Sequence, residues 1–157
     1  MLVAVVVIVA LVGVSILGAG VAGLRYLTDT RPLGEVEGPV TAAVRRVDVG
    51  HCIEDLPSDG EVSRVRVVPC DDPHRAEVVG ALDLTEEEWP GRSTVERTAR
   101  AYCEMDRTQT ELGFRPVVWQ PSEQGWGQGD RRVLCLAWSD VAAVTGSFTA
   151  GDDVAPA

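Results

Sequence analysis

The chain has 157 residues, 45% of them hydrophobic, and a formal net charge of −10. This length allows one membrane anchor and one domain of ordinary size. The acidic balance argues against nucleic acid as a partner, because a phosphate backbone repels an acidic surface.

A long apolar run opens the sequence. Residues 1–24 contain no charged side chain, and the first charge is Arg25. As a helix this run would be about 36 Å long, which exceeds the membrane hydrocarbon core of about 30 Å. We therefore predict a transmembrane anchor over residues 1–25. A cleavable signal peptide is the alternative, because the small residues at 18–20 resemble those that precede a cleavage site.

Two signals disagree about the orientation of this anchor. Arg25 and Arg31 follow the apolar run and favour a cytoplasmic C-terminus by the positive-inside rule. An even number of cysteines beyond the anchor favours an oxidising, extracytoplasmic side. We give the cysteines more weight and predict a single-pass protein of the cell membrane whose domain faces the extracytoplasmic side. The small residues Ser15, Ala19 and Gly23 would also allow a homodimer through the transmembrane helix.

Beyond the anchor, the chain divides into a linker, a folded domain and a tail. Residues 26–39 have no hydrophobic period and indicate a linker, and 57–60 indicate a turn. Alternating or continuous apolar stretches predict strands at 44–49 (leading into Cys52), 62–68, 76–84, 117–119, 132–138 and 141–148. Residues 149–157 are typical of a disordered tail, which leaves a domain over residues 40–148.

One helix is predicted between Ser93 and Gly113. Ser93 with Glu96 three residues later matches a capping box, and Gly113 fits a C-terminal stop. Apolar residues at helical spacing place Cys103 on the buried face. These elements predict an α+β fold: an N-terminal transmembrane helix, then a small, mostly antiparallel sheet packed on one helix and stapled by two disulfides.

The chain has four cysteines, Cys52, Cys70, Cys103 and Cys135, which allow three disulfide connectivities. We favour the sequential pairing, first with second and third with fourth, because it joins neighbouring elements. A zinc site built from the first two cysteines and the two histidines is the alternative, although its spacing is unlike that of a zinc finger. We therefore predict no metal and no cofactor.

Two stretches hold residue types that carry chemistry. His74 and Glu77 suit either an acid–base pair or a structural contact. The loop from Trp119 to Trp126 is rich in Gln and Gly, and its indoles either stack on a sugar or pack on the core. No nucleophile elbow, metalloprotease helix, phosphate-binding loop or dinucleotide motif occurs. We accordingly predict no catalytic residues and a protein that is not an enzyme.

The chain also carries an ordered series of short motifs. They are Val49-Gly50-His51-Cys52, Val68-Pro69-Cys70-Asp71-Asp72-Pro73-His74, Glu77-Val78, Trp89-Pro90-Gly91, Cys103, Pro121, Trp126, Gly129-Asp130-Arg131 and Cys135. In this order, over residues 45–138, they resemble the septum-formation domain of membrane-anchored actinobacterial proteins. The absence of Lys and Asn, whose codons are AT-rich, agrees with a high-GC source. The resemblance implies a setting in cell division or the envelope and assigns no reaction.

Together these observations predict a membrane-anchored extracytoplasmic module that binds an envelope or division protein. The candidate partner-binding residues are Pro73, His74, Glu77, Trp126 and Arg131. The alternative is a cell-wall glycan binder or an envelope enzyme that uses the His74–Glu77 cluster and the Trp119–Trp126 loop.

Overall fold

The computed structural model describes residues 31–57 and 62–157. The predicted anchor at 1–25, the first residues of the predicted linker and most of the predicted turn at 57–60 lie outside these ranges. Within them, no helix combines the length and the apolar character that crossing a membrane requires.

The centre of the domain is a six-stranded sheet whose neighbouring strands are all antiparallel. In chain order the strands are β1 (Val40–Ala43), β2 (Cys52–Ile53), β3 (Arg64–Val68), β4 (Ala76–Asp83), β5 (Arg115–Trp119) and β6 (Arg132–Trp138). Their spatial order is β1-β3-β2-β4-β6-β5. The predicted mostly antiparallel sheet is confirmed, and four of its predicted strands agree with β3 to β6 within two residues.

Strand β3 illustrates why these segments form strands. Val65 and Val67 are buried while Arg64 and Arg66 are exposed, as expected where one face of a strand is covered. In contrast, β6 buries five consecutive residues, because both of its faces are covered. The largest core is aliphatic, in keeping with the few aromatic residues of the chain. It consists of Ala42, Val47, Ile53, Val65, Val67, Ala76, Val78, Leu134 and Leu136.

Strand β2 is the narrowest part of the sheet. Its two residues, Cys52 and Ile53, pair with β3 on one side and with β4 on the other. Hydrogen bonds beside the strand extend this junction, including Arg75 N–H to Ile53 O and Glu54 N–H to Arg66 O, both 3.0 Å. The β1–β3 pair is therefore joined to the β4–β6–β5 ladder through a very short length of backbone.

The predicted strand at 44–49 is wrong. Strand β1 lies just before it, and residues 44–46 form a short 3₁₀ helix in which Val47 N–H donates to Val44 O (2.9 Å). Val47 is fully buried whereas Val49 is 44% exposed. A few valines spaced two or three apart fit a tight turn as well as a strand, so the pattern alone did not separate the two.

The single predicted helix is two helices, α1 (Arg92–Tyr102) and α2 (Arg107–Glu111). The N-cap of α1 is Gly91, which makes no side-chain cap, so the predicted capping box at Ser93 is wrong. A true capping box begins α2: Asp106 accepts from Gln109 N–H (2.8 Å), and Gln109 Oε1 accepts from Asp106 N–H (3.1 Å). This second start signal divides the predicted helix.

Helix α1 covers the face of the sheet opposite the aliphatic core. Its buried residues Val95 and Ala99 pack with Trp126 and Val133. Trp126 belongs to a third short helix, α3 (Glu123–Gly127), which Ser122 caps by accepting from Gly125 N–H (3.1 Å). The domain is thus a sheet packed with helices, as an α+β fold requires.

The C-terminal residues differ from the prediction. The strand predicted at 141–148 is only β7 (Val144–Thr145), and the predicted disordered tail at 149–157 includes β8 (Ala155–Pro156), which pairs with β7. The prediction of a disordered tail is therefore wrong for these residues. Ala157 N–H also donates to Ala143 O (3.0 Å).

Strands β1 and β5 form the two edges of the main sheet. Strand β5 carries a proline, Pro116, opposite Ala137 of β6. Proline has no N–H to donate, and it is tolerated in sheets mainly on edge strands such as this one.

Candidate functional site

The four cysteines form two disulfides. Cys52 is bonded to Cys70 and Cys103 to Cys135, with Cα–Cα distances of 5.2 and 5.1 Å. The predicted sequential connectivity is therefore the one in the structure. Because Cys52 and Cys70 are bonded to each other, they do not supply thiolates to the zinc site considered above. The first disulfide joins β2 to the turn after β3, and the second joins the end of α1 to β6.

Glu77 lies on β4 and is 1% exposed. Its carboxylate accepts four hydrogen bonds from the segment that precedes β8. Oε1 accepts from Ser147 Oγ (2.7 Å), Thr149 Oγ1 (2.7 Å) and Thr149 N–H (3.0 Å), and Oε2 accepts from Phe148 N–H (2.7 Å). A buried carboxylate needs this many donors to offset its loss of water. Glu77 therefore fixes residues 147–149 against the sheet.

His74 is also 1% exposed, and its backbone contacts the C-terminal part of the domain. Its backbone forms a two-way bridge with Val144, with N–O distances of 2.9 and 2.8 Å, and its ring Nδ1 lies 3.0 Å from Asp72 O. The ring thus steadies the turn after Cys70, while Glu77 is engaged by residues 147–149. The structure supports the structural interpretation of His74 and Glu77 rather than an acid–base pair.

Trp126 is 4% exposed and lies under α1. Its Nε1–H donates to Glu87 O (3.2 Å), and its ring meets Trp89 edge to face at 5.3 Å. The guanidinium of Arg131 lies 3.9 Å from the centre of the Trp126 ring, a cation–π contact. With its ring packed in this way, Trp126 does not present a free face on which a sugar could stack.

Arg131 joins two loops. Besides covering Trp126, it donates to four backbone carbonyls: Trp126 O (2.7 Å), Asp130 O (3.0 Å), Glu86 O (3.2 Å) and Glu87 O (3.1 Å). A planar guanidinium suits such divergent acceptors better than an ammonium would. Arg131 therefore holds the acidic loop 86–88 against α3.

The five predicted partner-binding residues consequently fall into two separate groups. His74 and Glu77 both contact the C-terminal segment, whereas Trp126 and Arg131 contact each other. Pro73 is exposed, Arg131 is half-buried, and the other three are buried. The structure therefore does not bring these five side chains together, and their role in partner binding stays a prediction.

Sequence reasoning missed the structural role of His51. Asp48 N–H donates to His51 Nδ1 (2.8 Å), so Nε2 carries the ring proton and donates it to Gly34 O (2.7 Å). Leu33 N–H donates in turn to Arg46 O (2.8 Å). Part of the predicted linker is thus bound to the domain, through contacts for which no local pattern in the sequence gives a signal.

The fold and these contacts define a small, disulfide-bonded α+β domain whose chemistry-bearing residues are mostly buried. The chain matches the septum-formation family over residues 34–111 and over residues 50–151. These ranges cover most of the chain, and the chain therefore belongs to this family. No curated protein and no solved structure matches it.

Proposed function

We propose that this protein is a non-catalytic interaction module of the cell envelope that acts in septum formation. Its family points to cell division or the envelope as the setting. The apolar run at 1–24 supports a single-pass anchor, and the two disulfides support an extracytoplasmic domain, because disulfides persist in oxidising compartments.

One observation carries the choice of a binding module over an enzyme. The residues with the most reactive side chains in the shared motifs are used inside the fold. The cysteines are paired, the Glu77 carboxylate accepts four internal hydrogen bonds, and His74 is 1% exposed. A general acid or base must reach its substrate, and these groups face protein instead. The reactive motif residues therefore stabilise the fold, and we infer that exposed residues bind the partner.

The exposed part of the central motif is the turn at Asp71 and Pro73, and we take it as the contact with the partner. Disulfide Cys52–Cys70 holds one end of this turn, and the bond from Asp72 N–H to Pro69 O (2.9 Å) closes it. A turn held in this way loses little conformational entropy when a partner binds. The glycan-binding alternative has less support, because the ring of Trp126 is buried.

Three measurements in living cells test the proposal. A phosphatase that is active only outside the cytoplasm, fused after Ala157, should be active, and a fluorescent fusion should concentrate at the division septum. A photo-crosslinking residue at Pro73 should capture one division or envelope protein, whereas the same residue at Leu112, which is 51% exposed on another element, should not. An inactive phosphatase or an even distribution over the envelope would contradict the proposal.

A further inference from the structure

The two disulfides occupy very different places in the fold. Cys52 is half of the two-residue strand β2, which joins the β1–β3 pair to the rest of the sheet. Its register partners are Val68 on β3 and Glu77 on β4. The Cys52–Cys70 bond therefore fastens the narrowest part of the sheet. The Cys103–Cys135 bond instead joins α1 to β6, a long strand that pairs over much of its length with both β4 and β5.

The disulfides also differ in their access to solvent. Cys103 and Cys135 are only 5% and 6% exposed and belong to the core beneath α1, with Val95, Ala99 and Trp126 among their neighbours. Cys70 is half-buried and lies in the turn next to the exposed Asp71, although its partner Cys52 is fully buried. Thiol–disulfide exchange requires that a thiolate reach one sulfur of the bond. Cys70 is the cysteine of the four that offers this access.

We propose that Cys52–Cys70 is a redox-sensitive latch between the two parts of the sheet, opened by a dithiol reductant of the small-molecule or thioredoxin-like protein class. One thiolate of the dithiol attacks Cys70 Sγ, forms a mixed disulfide and expels Cys52 as a thiolate. The second thiolate of the dithiol then attacks the reductant sulfur that is bonded to Cys70 in the mixed disulfide, and Cys70 leaves as a thiolate. Two electrons and two protons pass to the protein, and the reductant becomes a disulfide.

Opening the latch leaves the rest of the core in place. Helix α1 stays bonded to β6 through Cys103–Cys135, and β4 stays paired with β6 over seven register pairs. The β1–β3 pair keeps its contact with the ladder through β2, the bonds beside it and the shared aliphatic core. Reduction should therefore increase local opening of β1 and β3 without global unfolding. The exposed turn at Asp71 and Pro73, which the same bond holds, should loosen with them.

The first test follows the order in which the bonds open. The full oxidised chain, in a mild non-ionic detergent, is treated with dithiothreitol for increasing times, quenched, alkylated and peptide-mapped by mass. Cys52 and Cys70 should be alkylated together, at least about tenfold faster than Cys103 and Cys135. Equal rates, or earlier opening of Cys103–Cys135, would overturn the proposal.

The second test measures what opening does. Hydrogen exchange of the selectively reduced protein should rise at least about tenfold in residues 40–43 and 64–68, while residues 132–138 keep their protection. Cys52→Ser with Cys70→Ser should reproduce this pattern, and Cys103→Ser with Cys135→Ser should not. If the serine variants fail to fold, the reduced native chain gives the same measurement. Unchanged hydrogen exchange in β1 and β3 would show that the disulfide stabilises only its immediate surroundings, and this result would overturn the proposal.

Discussion

The buried carboxylate of Glu77 provides the sharpest test of how this domain is held together. Glu77→Gln keeps the size and shape of the side chain and removes its charge. The amide oxygen can replace Oε1, which accepts three of the four hydrogen bonds. The amide NH₂ must then replace Oε2, where Phe148 N–H points at it from 2.7 Å. Two donors would face each other at a residue that is 1% exposed.

The expected loss follows from these contacts. A hydrogen bond to a charged group contributes about 1.5–3 kcal/mol, and a buried donor left without an acceptor costs about 1–3 kcal/mol. We therefore expect Glu77→Gln to lower the free energy of unfolding by about 4 kcal/mol, a large part of the roughly 5–15 kcal/mol typical of a domain. The melting temperature should fall by about 15 °C.

Urea unfolding of the oxidised full chain, followed by tryptophan fluorescence, measures this change by linear extrapolation. Glu88→Gln is the matched control, because it removes the same charge from an exposed residue; it should change stability by less than about 0.5 kcal/mol. Hydrogen exchange should also increase at residues 147–149 in the Glu77 variant alone. Equal stability of the two variants would refute the reasoning, since the network would then contribute nothing beyond its charge.

Three further substitutions test contacts elsewhere, each by its effect on urea unfolding. Arg131→Lys keeps the charge, but a single ammonium cannot reach all four carbonyls, so it should lower stability by about 1–3 kcal/mol. Gly146→Ala forces a side chain into φ +93° and places Cβ 2.7 Å from Asp153 O, so it should cost about 1–3 kcal/mol from backbone strain alone. Tyr102→Phe removes the bond to Ala81 O (2.8 Å) from a half-exposed ring and should cost about 1 kcal/mol or less.

Matched controls separate these contacts from general effects of substitution. Arg97→Lys, on the exposed face of α1, should change stability by less than about 0.5 kcal/mol. Gly127→Ala places its Cβ in open space and should be neutral or slightly stabilising, by up to about 1 kcal/mol. An Arg131 or Gly146 variant as stable as its control would contradict the contact assigned to it.

The strands that were predicted correctly are those whose buried side chains can be identified from the local pattern of apolar and polar residues. β6 is a largely continuous apolar run and β3 alternates from Arg64 to Val67, so the local sequence indicates which faces are covered. The disulfide pairing was also predicted correctly. Cys52–Cys70 joins two segments that are close in the chain, whereas Cys103–Cys135 joins α1 to β6 across α2, β5 and α3. The predicted single helix was wrong because Asp106 and Gln109 start a second helix within the stretch that was predicted to continue from Ser93.

The candidate site was the least predictable part, for a physical reason. Whether a polar side chain is exposed depends on partners that are distant in sequence. Glu77 meets donors some 70 residues away, and the ring of Trp126 bonds to Glu87 O at a separation of 39 residues. No period or motif encodes such pairs. Reactive residue types in a shared motif consequently suggested partner binding, whereas the side chains of His74, Glu77 and Trp126 are buried.

The proline on the edge strand β5 affects whether the sheets of two copies of this protein can pair. An unprotected outer strand is a template on which a strand from another molecule can add. Along β5 such an addition would meet Pro116, which has no amide hydrogen and would leave a gap in the new ladder. Copies of this domain at high local concentration would thus be kept from merging into a shared sheet along this edge, which is a safeguard against aggregation.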